Sequence, residues 1–243
     1  MDIFITIMVI AIILVVKFAI LNNIVIKMTG AMPLPQKEAP EIHAILKRLS
    51  KEASIPTPKI YSMPSPQPNA FAFGQSQSTA AIGLTDKLME ILNQNEIEGV
   101  IAHELAHIKN NDTLISTATA AMAGVPNYIA QLLLGGSRGG WGIFSRLFSI
   151  IFAPLAAMLI RTAISRSREF TADKTGAQIC KNPESLANAL LKMQKHPKSS
   201  PMKVSPVTSH LFIINPNTAL SLGKLFNTHP PVNERVKKLK EMK

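Results

Sequence analysis

The chain has 243 residues, of which 47% are hydrophobic and only 17% are charged, and its net charge is +11. Soluble domains average about 25% charged residues, so this composition favours association with a membrane. The lysines and arginines form no stripe interleaved with aromatic residues, which argues against nucleic acid as a partner. Cys180 is the single cysteine, which excludes an internal disulfide.

The first predicted element is an apolar run over residues 3–26, long enough for a helix that spans a bilayer. A cleaved signal peptide is the alternative. Against it, the run is too long, and no basic region precedes it because Asp2 is the only charged residue before Lys17. We therefore expect residues 1–30 to be a transmembrane anchor. The lysines that follow it predict a cytoplasmic location for the rest of the chain.

Residues 41–53 carry apolar side chains at helical spacing and predict an amphipathic helix. Residues 55–84 then hold three short strand-like stretches separated by prolines and polar turns. This pattern predicts a small antiparallel sheet.

The strongest motif is the pattern H-E-x-x-H formed by His103, Glu104 and His107 on a predicted helix. Histidines four residues apart lie on the same helical face, so both imidazoles can bind one metal ion. A catalytic zinc site keeps one position open for water, and Glu104 can accept the proton of that water. The alternative is a surface helix that carries these three residues by chance.

Two apolar runs, 114–134 and 143–160, form a predicted hairpin over residues 113–162. Their length allows them to span a membrane, although polar residues and prolines interrupt both. A helical hairpin on the membrane face or within the domain is the alternative. We expect the hairpin to be embedded in the membrane, since the arginines that follow it fit a return to the cytoplasm.

A catalytic zinc site needs a third protein ligand. Glu169 and Asp173 are four residues apart in the segment after the hairpin, so on a helix they share one face. Glu169 can bind zinc while Asp173 accepts a hydrogen bond from the second ring nitrogen of a ligating histidine. An exposed helix whose carboxylates face neighbouring arginines is the alternative reading.

The second strand-like stretch, NAFAFG, begins at Asn69. An edge strand beside the metal of a zinc protease can pair with an extended peptide. Asn69, Ala70 and Phe71 are our candidates for that substrate contact, and an ordinary core strand fits the pattern equally well.

The order of these features resembles the HtpX family of membrane-bound zinc metalloproteases, which is related to the prenyl-protein endopeptidases. The matching pieces are the N-terminal membrane segment, NAFAFG, VIAHELAHIKNND, the hydrophobic hairpin, SRSREFTAD and THPPVNERV. The resemblance implies His103, His107 and Glu169 as zinc ligands and Glu104 as general base, in agreement with the spacing. Members usually carry two N-terminal membrane helices, whereas this chain shows one.

The THPPVNERV segment precedes and begins a predicted final helix over residues 232–240. The resemblance implies that this segment lies near the site. His229 or Arg235 can then stabilise the oxyanion of a tetrahedral intermediate. Helix capping by His229 and a surface salt bridge by Arg235 are equally compatible with the sequence.

We therefore predict a mainly α-helical protein with a small β-sheet, an α+β zincin-like metalloprotease domain over residues 31–243, and transmembrane helices. The expected function is that of a zinc endopeptidase, with one Zn²⁺ per chain, that cleaves misfolded or membrane proteins in quality control and stress response. The expected partners are protein or peptide substrates and membrane lipids, and no nucleic acid. The expected location is the cell (inner or plasma) membrane, multi-pass, with the protease domain in the cytoplasm. The alternative is a non-catalytic membrane scaffold that contains zinc.

Overall fold

The computed structural model of the protein describes residues 22–118, 166–197, 212–214 and 230–242. Most of the predicted anchor over residues 1–30 and of the predicted hairpin over 113–162 lies outside these residues, as does His229. Among the described helices, none is long and apolar enough to cross a membrane.

The described part of the chain contains a small sheet and a larger set of helices. The strands are β1 (Met32–Pro33), β2 (Lys59–Met63), β3 (Ala70–Phe73) and β4 (Ala81–Thr85). The helices are α1 (Pro40–Ala53), α2 (Asp86–Ile91), α3 (Gln94–Lys109), α4 (Arg166–Cys180), α5 (Pro183–Lys195) and α6 (Val232–Lys240). Residues 22–29 and 112–118 are also helical. The prediction of a mainly helical protein with a small sheet is confirmed.

The sheet has the strand order β1-β2-β4-β3 and is mixed. Strands β2 and β4 are parallel, whereas β1 pairs with β2 and β3 pairs with β4 in antiparallel fashion. The prediction of an antiparallel sheet is therefore wrong for the central pair. The reason is that β3, which lies between β2 and β4 in sequence, pairs on the far side of β4. Gly83 of β4 permits this pairing, because a Cβ there would lie 2.4 Å from Cε1 of Phe71.

Helix α3, which carries the H-E-x-x-H pattern, begins at a complete capping box. The Asn93 side chain accepts a hydrogen bond from the Glu96 N–H at 2.9 Å, and the Glu96 carboxylate accepts one from the Asn93 N–H at 2.8 Å. Such an N-cap stabilises a helix by roughly 1 kcal/mol. Lys192 of α5 contacts the same Glu96 carboxylate at 2.7 Å. The capping box thus fixes the backbone at the start of α3, and the ion pair with Lys192 joins this end of the helix to α5.

Helix α3 lies at the centre of the core, where it packs against α1, α4, α5 and β3. Two glycines allow its neighbours to approach it closely. A Cβ at Gly99 would lie 2.4 Å from the main-chain N of Leu186 in α5, and one at Gly176 of α4 would lie 3.0 Å from Cα of His103. Because Gly176 follows Glu169 by two helical turns, the close approach of α4 at His103 brings Glu169 to the same side of α3.

We expect Gly99→Ala to lower the free energy of unfolding by about 1–3 kcal/mol, because the new Cβ meets the main chain of α5. Helix propensity alone would predict a gain of about 1 kcal/mol for the same change. Gly176→Ala, with its looser contact of 3.0 Å, is expected to cost less. Denaturant unfolding of the purified full chain measures both variants, and a Gly99→Ala variant as stable as wild type would contradict the packing.

Candidate metal centre

His103 and His107 lie one turn apart on α3, and their imidazoles converge. Their Nε2 atoms are 3.1 Å apart, and the ring planes meet at 88°. His103 is fully buried, whereas His107 is partly exposed. The predicted pair therefore presents two nitrogen atoms to one point at the edge of the core.

Glu169 of α4 faces this pair. Its Oε1 is 3.5 Å from His107 Nε2, and its Oε2 is 3.8 Å from His103 Nε2. Ligand atoms on a tetrahedral zinc ion, with bonds of about 2.0–2.1 Å, lie roughly 3.3 Å apart. Among the described residues, these three form the one such group that could hold a metal ion, with ligand atoms within 4.8 Å of one another. Their spacing and chemistry fit zinc.

Asp173, one turn after Glu169 on α4, supports His103 from behind. Its Oδ1 is 3.0 Å from His103 Nδ1. Burial lowers the pKa of His103 to about 4, although the hydrogen bond to Asp173 opposes this shift. A carboxylate only accepts hydrogen bonds, so Nδ1 of the neutral ring carries the proton and Nε2 keeps its lone pair for a metal.

Arg235 of α6 is fully buried, which excludes the surface salt bridge considered from the sequence. Its Nε donates to Asp173 Oδ2 at 2.9 Å and its Nη2 donates to Asp173 Oδ1 at 2.6 Å. Burial by itself would raise the pKa of Asp173, but Arg235 and the hydrogen bond from His103 lower it to about 2. Nη1 of Arg235 lies 3.6 Å from Glu169 Oε2. The positive charge of the guanidinium therefore offsets the negative charges of the buried carboxylates of Asp173 and Glu169. A role for Arg235 at an oxyanion stays a prediction.

Glu104 is buried beside the histidines and reaches toward the sheet. The N–H of Ala72 in β3 donates a hydrogen bond to its carboxylate. Burial raises the pKa of Glu104 to about 7, although the charge of His107 and the bond from Ala72 oppose the rise. A carboxyl group with a pKa near neutrality can both accept and release a proton at physiological pH.

Strand β3 lies at an edge of the sheet, and within the described residues its one partner strand is β4. The Asn69 side chain binds the main chain of Ile214 through two hydrogen bonds, of 2.7 Å from Nδ2 and 3.2 Å to Oδ1. The Ala70 carbonyl accepts a bond of 2.9 Å from the N–H of Ile213, while Phe71 is buried and paired with β4. The chain's own residues thus contact this part of the edge, and substrate contact there stays a prediction.

Asp112 is a site residue that the sequence analysis missed. Its Oδ2 lies 3.1 Å from Nδ1 of His107. Burial by itself would lower the pKa of His107, but the hydrogen bond to Asp112 and the negative charge of Glu169 raise it to about 9. The signal in the sequence is an aspartate five residues after the second histidine, a spacing that does not place both on one helical face.

Comparison with known proteins places the chain in a family. Residues 36–243 match Peptidase family M48. The chain is 47% identical to a protease HtpX homolog of Pelotomaculum thermopropionicum, over 91% of this chain and 82% of that protein. It is 46% identical to a protease HtpX homolog of Syntrophobacter fumaroxidans, over 91% of this chain and 83% of that protein.

The fold is also similar to that of a solved structure, the crystal structure of S. mikatae Ste24p. The TM-score is 0.56 at 20% identity, over 97% of this chain and 57% of that one. Since the family match includes every residue described at the candidate metal centre, the chain belongs to Peptidase family M48 and is a metallopeptidase.

Proposed function

We propose that the protein is a membrane-anchored zinc endopeptidase that cleaves misfolded or membrane proteins. The observation that carries this proposal is the convergence of two histidines and a glutamate beside the buried carboxylate of Glu104. Membership of a peptidase family and the protease relatives support hydrolysis of peptide bonds.

His103, His107 and Glu169 are the residues that would hold one zinc ion per chain. Bound zinc would polarise the scissile carbonyl and lower the pKa of the attacking water. A structural zinc site is closed by four protein ligands, whereas a catalytic site has three and an open position. The described residues offer three ligands at this point, and the buried Glu104 carboxylate lies beside them, which is the combination that a catalytic site needs and a non-catalytic scaffold does not.

Glu104 is the proposed general base. Its carboxylate would accept the proton of the attacking water and then pass that proton to the leaving amine, which a pKa of about 7 suits. The hydrogen bond from the Ala72 N–H fixes the carboxylate beside the edge of the sheet. The proton acceptor would thus lie next to strand β3, which holds the residues proposed for substrate contact. Arg235 and His229 remain the groups proposed for the oxyanion.

The proposed location is the cell membrane, with the protease domain in the cytoplasm and lipid contacts along its apolar segments. Support comes from the apolar run over residues 3–26 and the predicted hairpin over 113–162. A protease held beside the bilayer would meet membrane proteins and their unfolded segments, which is the basis for the proposed role in quality control and stress response.

Removal of zinc is expected to abolish casein cleavage by the purified full chain, and equimolar Zn²⁺ is expected to restore it. The reason is that Glu104 has no activated water to deprotonate without the metal. Metal analysis by mass spectrometry should give one zinc per chain in the active sample. Cleavage that persists after chelation to below one-tenth occupancy would exclude the zinc mechanism.

The full chain is expected to remain in the membrane fraction after an alkaline carbonate wash, because an apolar segment that spans the bilayer is not removed by high pH. A variant that lacks residues 1–30 tests whether the predicted anchor is responsible, or whether the hairpin suffices. Release of the full chain into the supernatant would contradict the membrane-anchored part of the proposal.

A further inference from the structure

Asp112 reaches His107 because of a turn at the end of α3. The helix ends at Lys109, and Asn111 has a left-handed backbone conformation with φ of 60°. The helical stretch 112–118 begins directly after this turn. The Asp112 side chain, only 9% exposed, lies 3.1 Å from His107 Nδ1 across the turn.

The other oxygen of Asp112 faces α4. Oδ1 lies 3.6 Å from Nη1 of Arg168, the residue immediately before Glu169. Each histidine of the centre therefore has the same arrangement behind it: its Nδ1 faces an aspartate, and that aspartate faces an arginine. The two arrangements differ in strength, since Arg235 makes two short hydrogen bonds to Asp173 in the core, whereas the Arg168 contact is longer, at 3.6 Å, and partly exposed.

We propose that Asp112 is a positioning residue for the metal centre, which holds the Nδ1–H of His107 so that Nε2 is the atom presented to the metal, and that Arg168 fixes Asp112 in turn. The proposal rests on the proposed zinc site and extends it to a residue outside the ligand set. A carboxylate that accepts from the second nitrogen of a ligating histidine fixes the tautomer and the ring orientation, and its loss typically lowers metal affinity about 10–100-fold.

A second explanation for Asp112 is local, because an acidic residue in the first turn also stabilises the helix that begins there. Asp86 provides the matched control for this explanation. It is an exposed aspartate in the first turn of α2, and it does not belong to the group of described residues that could hold a metal. A purely helical role predicts that replacing Asp112 and replacing Asp86 have the same effects.

The test is zinc affinity of the purified full chain, measured by competition with a chromophoric chelator. We expect Asp112→Ala to weaken zinc binding about 10–100-fold, Asp112→Asn to lie between Ala and wild type because its amide oxygen still accepts from Nδ1–H, and Asp86→Ala to leave affinity unchanged. Arg168→Ala is expected to have a smaller effect than Asp112→Ala, since its contact is longer and partly exposed.

Two further measurements distinguish the loss of the proposed role of Asp112 from unfolding of the variant and from failure of the proposed zinc site. The visible absorption of bound Co²⁺ should change in Asp112→Ala, because it reports ligand geometry. The unfolding midpoint measured without metal shows whether the variant is still folded, so that a loss of zinc affinity can be assigned to the lost contact with His107. Wild-type zinc affinity and an unchanged Co²⁺ spectrum in Asp112→Ala would overturn the role of Asp112 alone. A wild-type chain that binds no zinc would instead overturn the proposed function.

Discussion

Replacing Glu104 with glutamine is expected to lower kcat for peptide cleavage about 10²–10⁴-fold, the usual contribution of a general acid–base group. Glutamine has nearly the same shape but cannot take a proton from water. Glu104 does not belong to the group of three residues that could hold the metal, so the variant should keep one zinc per chain. Cleavage of a fluorogenic peptide and metal analysis of the same sample measure both quantities.

Glu98→Gln is the matched control for this experiment, since Glu98 lies on the same helix and its carboxylate contacts Arg48 on α1. It should retain activity, because its carboxylate is paired with Arg48 and it is not one of the three residues that could hold the metal. Full activity in Glu104→Gln would remove Glu104 from the mechanism, and loss of zinc together with activity would assign it to the ligand set instead.

Replacing Glu169 with alanine is expected to cost more zinc affinity than the 10–100-fold typical of a lost supporting carboxylate, because it removes a ligand itself. Two histidines would remain, and they do not close a catalytic zinc site. Isothermal titration with Zn²⁺ measures the loss of zinc affinity, and casein cleavage at saturating metal measures the catalytic rate of the zinc-loaded variant.

Glu184→Ala serves as the control for Glu169, since it removes an exposed glutamate from the first turn of α5. Its zinc affinity and activity should equal those of wild type. One tightly bound zinc per chain in Glu169→Ala would exclude Glu169 as a ligand and would require another donor to complete the site.

The local part of the site could be predicted from the sequence because it depends on one helical period. His103 and His107 are four residues apart, as are Glu169 and Asp173, and each pair does share a helical face. The packing of α4 on α3 could not be predicted in this way, because it depends on the close approach at Gly176. The resemblance to the HtpX family nevertheless implied that Glu169 binds the same zinc ion as the two histidines.

Other features depend on the backbone conformation of a turn or on contacts between residues distant in sequence, and patterns in a single sequence do not predict these. Asp112 contacts His107 across the turn at the end of α3, where Asn111 takes a left-handed backbone conformation. Arg235 carries a charge that usually favours the surface, yet it is buried because Asp173 and Glu169 provide carboxylates within the core. The parallel pairing of β2 with β4 likewise requires β3 to cross to the outer edge.

The contact between Asp112 and Arg168 joins two residues that flank the long stretch between α3 and α4. The helical stretch 112–118 and the start of α4 meet across this ion pair, at a distance of 3.6 Å. Thr117 is also held, because its hydroxyl accepts a bond of 2.8 Å from the Gly74 N–H. The ligands on α3 and α4 are therefore tied to each other at the two ends of this stretch, by contacts that do not depend on its length.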